Sequence, residues 1–190
     1  MSKLLILGSI AFDQIETPFG KSNSIMGGSA NYIALAAAQF EIPAAVVSIV
    51  GGDYPQEYLN LLTERRIDVS GIEIVQGGKT LFWSGKYHND MNQRDTLDTQ
   101  LNVINDFKPI VPEAFRDAEV LLLGNLHPSL QMEVLHQMTQ RPKLVVMDTM
   151  NYWMNHTWDL LMEVIARVDV LTINDEEARQ LTKEYSLVKA

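Results

Sequence analysis

Cysteine is absent from the 190 residues. Its absence excludes a disulfide framework, a thiolate zinc site and a cysteine nucleophile. Histidine is scarce as well, and His88, His136 and His156 show no metal-ligand spacing. His136 is expected on a solvated helix face, and His127, ahead of Pro128, reads as a loop histidine at the rim of a site. Positive charge is the rarer sign, with 15 Lys and Arg against 24 Asp and Glu and a net charge of −9. Such a surface disfavours nucleic acid and anionic membranes as partners, although a local site for an anionic substrate remains compatible with it. No apolar run approaches the roughly 20 residues that cross a bilayer. Leu4-Leu5-Ile6-Leu7 is too short for a secretory leader and runs into a glycine turn. A cytoplasmic protein is expected, built as one large domain or one domain with a small appendage.

Hydrophobic residues make up 46% of the chain, an ordinary share for a globular protein, and their pattern is regular. Lys3 to Leu7 is a continuous apolar run ending at Gly8-Ser9, the pattern of a strand buried on both faces. Ala45 to Val50 is a second such run, ending at Gly51-Gly52-Asp53. Pro55 suits the first turn of a helix reaching about Arg65, with Tyr58, Leu61 and Leu62 inward. Further on, Val120 to Leu123 ends at Gly124-Asn125, and Leu144 to Met147 at Asp148. Val170 to Ile173 ends at Asn174. Helices are predicted between these runs over Pro128 to Thr139, with Leu130, Val134 and Met138 inward, and over Trp158 to Val168. A last one starts at Asp175. Alternating strands and helices imply an α/β fold, a parallel sheet flanked by helices.

The middle of the chain breaks that rhythm. Ile72 to Val75 and Thr80 to Tyr87 alternate as strands and predict a hairpin around Gly77-Gly78. Leu81, Trp83, Gly85 and Tyr87 share one of its faces. A polar stretch follows, from His88 to Asn105. We read this region as an excursion from the main sheet, a small β-sheet lid with segments at about 14–26 and 72–105. Trp83 and Tyr87 are its candidates for stacking on a ligand ring. Trp153 and Trp158 read as packing residues. Asp90, Arg94, Asp95 and Asp98 read as solvated surface, with Arg94 as a lesser candidate for a ligand contact.

The segment Met26-Gly27-Gly28-Ser29-Ala30-Asn31 leads directly into an alanine-rich helix. Its glycines allow close backbone approach, and the helix start offers N–H groups to ligand oxygens. Asn31 adds a side-chain donor and acceptor, while Ala30, Ala34, Ala37 and Ala38 let the helix sit tightly on a sheet. In open α/β sheets ligands bind beyond the carboxyl ends of the strands. Here those ends carry small residues, carboxylates and carboxamides, a rim suited to a hydroxyl-rich molecule. Each one taken singly is also an ordinary turn former. A dinucleotide fingerprint is not supported, because Gly8-Ser9-Ile10-Ala11-Phe12-Asp13 supplies only the first of its glycines.

Taken together, Asp13, Gly27-Gly28-Ser29-Ala30-Asn31, the lid, Asp148-Thr149-Met150-Asn151 and Asn174-Asp175-Glu176-Glu177 resemble the ribokinase-like, or PfkB, carbohydrate and nucleoside kinases. The resemblance runs in the family's order from Lys3 to the end of the chain. It implies ATP- and Mg²⁺-dependent phosphoryl transfer to a hydroxymethyl group of a sugar or nucleoside. By resemblance, Asp13, Gly27, Gly28 and Asn31 hold the acceptor's hydroxyls, with Asn125 and Trp83 as further substrate contacts. Asn174 and Glu177, with Asp148, are associated with the phosphates and with Mg²⁺ and its waters, none as a direct metal ligand. Glu176 and Glu177 also suit the positive end of a helix without any ligand.

No Gly-x-Gly-Asp segment, which carries the family's catalytic base and anion hole, occurs in the sequence. The expectation is therefore the acceptor half of the active site with the C-terminal part of the fold missing, and a chain inactive alone. The alternative is a non-catalytic sugar- or nucleoside-binding or regulatory protein. An incomplete sheet leaves a bare edge strand, so a homodimer through the lid or that edge is expected.

Overall fold

The computed structural model describes residues 3–91 and 94–190. In chain order, β1 (Leu4–Leu7), β2 (Ala11–Thr17) and β3 (Gly20–Gly27) precede α1 (Ser29–Ala38). Then come β4 (Ala44–Gly51), α2 (Gln56–Glu64), β5 (Ile67–Val75), β6 (Leu81–Tyr87) and β7 (Arg94–Gln100). After two short 3-10 turns the chain resumes with β8 (Val120–Leu123), α3 (Pro128–Gln137) and β9 (Leu144–Asp148). It continues through α4 (Asn151–His156), α5 (Trp158–Ile165), β10 (Val170–Thr172) and α6 (Asp175–Thr182).

Six strands form a parallel sheet in the order β10-β9-β8-β1-β4-β5. All four residues of β1 and all eight of β4 are buried, as expected of central strands covered on both faces. Successive side chains along a strand point to opposite faces, and the core divides accordingly. Leu4, Ile6, Ala44 and Val46 pack with Ala30, Ala34 and Ala37 of α1 and with Leu59 and Leu62 of α2. Leu5, Leu7, Leu121, Leu123, Val145 and Met147 pack on the other face, with Val134 of α3 and Leu161 and Val164 of α5. The alanine face of α1 is thus used as expected. In α2, Leu59 rather than Leu61 joins Leu62 in the buried set. In α3, Gln131 and Met132 are buried beside Val134, while Leu130 and Met138 are only partly covered.

The second sheet has four strands in the order β3-β2-β6-β7. It is made of two antiparallel hairpins, β2–β3 and β6–β7, joined by parallel pairing of β2 with β6. The hairpin expected around Gly77-Gly78 does not form. Ile72 to Val75 belong to β5, which runs parallel to β4 with Ile74 opposite Val50 at the edge of the main sheet. Gly77 takes a positive φ of 78°, but its turn carries the chain from one sheet to the other. Asp53 fixes that passage by accepting from the Thr80 backbone N–H (2.8 Å) and hydroxyl (2.7 Å). None of the helices among the described residues is long and apolar enough to cross a membrane.

β1 lies between β4 and β8, with chain order reversing direction on either side, so the switch point falls between β1 and β8. On β8, beside it, Leu121 and Leu123 are buried. Replacing fully buried Leu121 by alanine is expected to lower unfolding free energy by about 2–5 kcal/mol, measured by urea denaturation with an unchanged m-value.

Candidate active site

The start of α1 sits on the switch point. A Cβ built on Gly8, after β1, would lie 2.7 Å from the Ser29 hydroxyl, and one built on Gly124, after β8, 2.6 Å from it. Two glycines are therefore needed for Ser29 to occupy the crevice between these strands. Ser9 and Ser29 bond reciprocally, each backbone N–H donating to the other's hydroxyl at 3.2 Å. The Ala30 N–H donates to the Ser9 carbonyl at 2.9 Å, and the Gly28 N–H to the Asp13 carboxylate. The N–H groups of Gly28, Ser29 and Ala30 are thus satisfied within the chain, which corrects the expectation that they await ligand oxygens. Gly28, at φ 91°, faces the Ser9 carbonyl so closely that a side chain there would overlap it.

Asp13 on β2 lies directly against Gly27, where a Cβ would overlap its carboxylate. Burial pushes the Asp13 carboxyl up, opposed by the Gly28 N–H. Asn31, fully buried in the first turn of α1, donates its Nδ2 to the Gly27 carbonyl (2.6 Å) and to the Tyr54 hydroxyl (3.1 Å). Its Oδ1 is buried and has no partner. Asp13 is opposite Trp83 in the parallel β2–β6 register, which puts both side chains on one face of the small sheet. The Trp83 indole lies along Gly85, donates to Thr96 at 3.3 Å and carries Arg94 over its ring at 5.9 Å. Tyr32 joins this group: its phenol is pushed up by burial and by the charges of Asp13 and Tyr87. Asp13, Gly27, Gly28 and Asn31 are therefore brought together, with Trp83 on the adjoining strand.

Beyond β8 and β9 lies a second cluster. The Asn125 backbone N–H donates to the Asp148 carboxylate. The Asn125 carboxamide itself is held on both ends, accepting from Trp153 Nε1 at 2.8 Å and donating to Met150 Sδ at 3.1 Å. Trp153 thus packs, as expected, and also orients Asn125. Buried Gln131 ties the same strand ends together, donating to the carbonyls of Gly124 (3.0 Å) and Asp148 (3.2 Å). His127 caps α3, its Nδ1 accepting from the Ser129 N–H, and its ring meets Trp153 edge-on at 5.2 Å. Asn174 caps α6 in a reciprocal box: its Oδ1 accepts from the Glu177 N–H while Glu177 Oε2 accepts from the Asn174 N–H, both at 2.9 Å. That geometry is the helix-terminal role for Glu177. Its carboxylate is nevertheless buried and faces Asp148 closely enough to act on it electrostatically.

Burial, and then the charge of Glu177, push the Asp148 carboxyl up to about 6. A raised carboxylate pKa means that the folded state holds its proton when the unfolded chain has lost it. Stability is then full below about pH 4 and falls as pH rises toward about 6. Asp148→Asn is expected to be neutral at pH 4 and to raise stability at pH 7.5 by on the order of 2–3 kcal/mol, read as a pH-dependent shift in melting temperature.

The sequence matches the pfkB family carbohydrate kinase profile over residues 1–188. A cytidine kinase from Thermococcus kodakarensis is 28% identical over 191 aligned positions, covering 96% of this chain and 65% of the relative. Among solved structures, the nucleoside kinase of Methanocaldococcus jannaschii, a member of the ribokinase family, superposes with a TM-score of 0.73. Its identity is 19%, over 97% of this chain and 66% of that one. The Burkholderia thailandensis nucleoside kinase in complex with inosine gives 0.74 at 17% identity, over 95% of this chain and 63% of that one. The chain thus spans about two thirds of the length of these relatives. With the match running along almost its whole sequence, the chain belongs to the pfkB family of carbohydrate kinases.

Proposed function

We propose that this chain binds the hydroxyl-bearing acceptor in an ATP-dependent phosphoryl transfer to a hydroxymethyl group, the acceptor being a nucleoside or sugar. The observation that carries the proposal is the pairing of the Asp13 carboxylate with buried Asn31. Both lie against Gly27, and the Asn31 Oδ1 has no partner. A carboxylate and a carboxamide oxygen are acceptors, and together they suit a ligand that brings O–H donors. A phosphate would meet negative charge here and would find the N–H groups of Gly28, Ser29 and Ala30 already taken. Nucleoside kinases among the relatives support a nucleoside as acceptor. Trp83, beside Asp13 in the register, adds an aromatic surface, and the small sheet that carries both acts as a lid over the acceptor.

ATP would supply the transferred phosphoryl group, and Mg²⁺ would neutralise the charge on its oxygens. Among the described residues no cluster of three or more His, Asp or Glu could hold a metal ion. Mg²⁺ usually keeps several waters and takes few protein ligands. The Asp148–Glu177 pair fits that mode, since two like charges near one another gain from a hydrated cation. Asn174 fixes Glu177 through the helix cap, and Asn125 fixes Asp148 through its backbone N–H. The same reading includes association of two copies through bare strand edges. Every residue of β7 is exposed, and Leu97 is 56% uncovered.

The test is calorimetric titration with cytidine, inosine and ribose. At least one should bind, and Asp13→Asn and Asp13→Ala should weaken it by about 10- to 100-fold, the range for hydrogen bonds to a charged group, with the fold retained by circular dichroism. Absence of binding for all three, or wild-type affinity in both variants, would overturn the proposal.

A further inference from the structure

The loop after β4 places a residue against Asn31 that no sequence motif singles out. Tyr54 is 7% exposed and wedged between Phe12 of the small sheet, 5.5 Å away, and Tyr58 of α2, 5.6 Å away. Its hydroxyl accepts from Asn31 Nδ2 at 3.1 Å. A carboxamide has two N–H donors and a carbonyl acceptor. One N–H is taken by the Gly27 carbonyl, which can only accept, so the amide end must face it. Tyr54 takes the other. With both donors engaged, the plane of the carboxamide is fixed, and Oδ1 is the end left without a partner.

From this geometry we infer that Tyr54 is a positioning residue for acceptor recognition: its hydroxyl locks the Asn31 carboxamide so that the carbonyl oxygen, not the amide nitrogen, is presented to a ligand hydroxyl. This rests on the function proposed above. Three contacts make the lock rigid. Phe12, which packs on the Tyr54 ring, immediately precedes Asp13, so one aromatic contact couples the two acceptor groups. Asp53, the residue before Tyr54, is bonded to Thr80 at the start of the small sheet. The Tyr54 backbone N–H is bonded to the Gly51 carbonyl at 3.2 Å. Burial pushes the phenol up to about 12, so the hydroxyl stays protonated across the working pH range.

A double-mutant cycle distinguishes positioning from plain packing. Acceptor dissociation constants are measured calorimetrically for wild type, Tyr54→Phe, Asn31→Ala and the double variant, using whichever of cytidine, inosine and ribose the wild type binds most tightly. Asn31→Ser replaces Asn31→Ala if the latter melts below the assay temperature. Tyr54→Phe is expected to weaken binding about five- to tenfold, a typical hydrogen-bond effect, and to add nothing further once Asn31 is gone. Hydrogen exchange of the Asn31 side-chain amide, followed by NMR without ligand, is expected to accelerate at least about tenfold in Tyr54→Phe. Leu62→Ala, in the same apolar cluster, serves as the packing control and should lower the melting temperature without moving the affinity. Equal effects of Tyr54→Phe in both Asn31 backgrounds, or unchanged amide exchange, would overturn the positioning role and leave the function reading intact. A wild-type chain that binds none of the three probes would overturn the function reading itself.

Discussion

The reciprocal bond between Ser9 and Ser29 is the constraint on which the rest of the site depends. It joins the end of β1 to the start of α1 across the switch point, and it exists only because Gly8 and Gly124 leave room for a hydroxyl between two strand ends. Its position sets where the helix begins, and hence where Asn31 falls, two residues on in the same first turn. It also consumes helix N–H groups that would otherwise attract anions. A site that would have suited a phosphate is thereby turned into one with surplus acceptors. Antiparallel pairing of β2 with β3 then lays Gly27 against Asp13.

The two polar clusters differ in how their charge is managed. Around Asp13 a single carboxylate is compensated by a backbone N–H, and its neighbours are neutral carboxamide and phenol groups. Around Asp148 two carboxylates face each other under partial burial, which is unfavourable at neutral pH. Proteins retain such pairs where a ligand supplies the missing positive charge. On the function proposed above, one cluster would take neutral hydroxyls and the other a cation with the anionic groups it accompanies. Gln131 and Asn125 bind the second cluster to the strand ends, while Tyr54 and Gly27 bind the first to the small sheet.

Much of this was legible in the residues, and the reasons for the rest are physical. Continuous apolar runs ending in small or polar residues announce parallel strands, and five of the six strands of the main sheet carry one, β5 being the exception, although β10 at the sheet edge is largely exposed. The pairing of Ile72 to Val75 is not legible in the residues, because a Gly-Gly turn looks the same whether the chain doubles back or passes between sheets, and only pairing with β4 decides. Gly27, Gly28 and Asn31 were visible because unusual backbone angles and small residues demand particular residue types. Ser9, Tyr54 and Gln131 were not. Their partners lie in other segments, and a serine, a tyrosine or a glutamine carries no local mark of being buried and bonded. The helix start looked free for a ligand for the same reason, since its capping group comes from residue 9.

The small sheet has a consequence for the order in which the protein assembles and loosens. Each of its hairpins is a separate insertion, and an isolated two-stranded hairpin is marginal in water. The sheet exists only when β2 finds β6, a pairing of Ala11 with Leu81 that must await closure of everything between them. The main sheet, whose central strands are wholly buried, needs no such partner from the insertions. Local opening should therefore begin in the small sheet and travel no further than the joints at Ser9–Ser29 and Asp53–Thr80. The acceptor groups sit on that boundary: Asp13 belongs to the part that opens, Asn31 to the part that stays folded. A ligand that bridges them would rivet the less stable layer to the more stable one, and binding would be felt as ordering of the whole insertion.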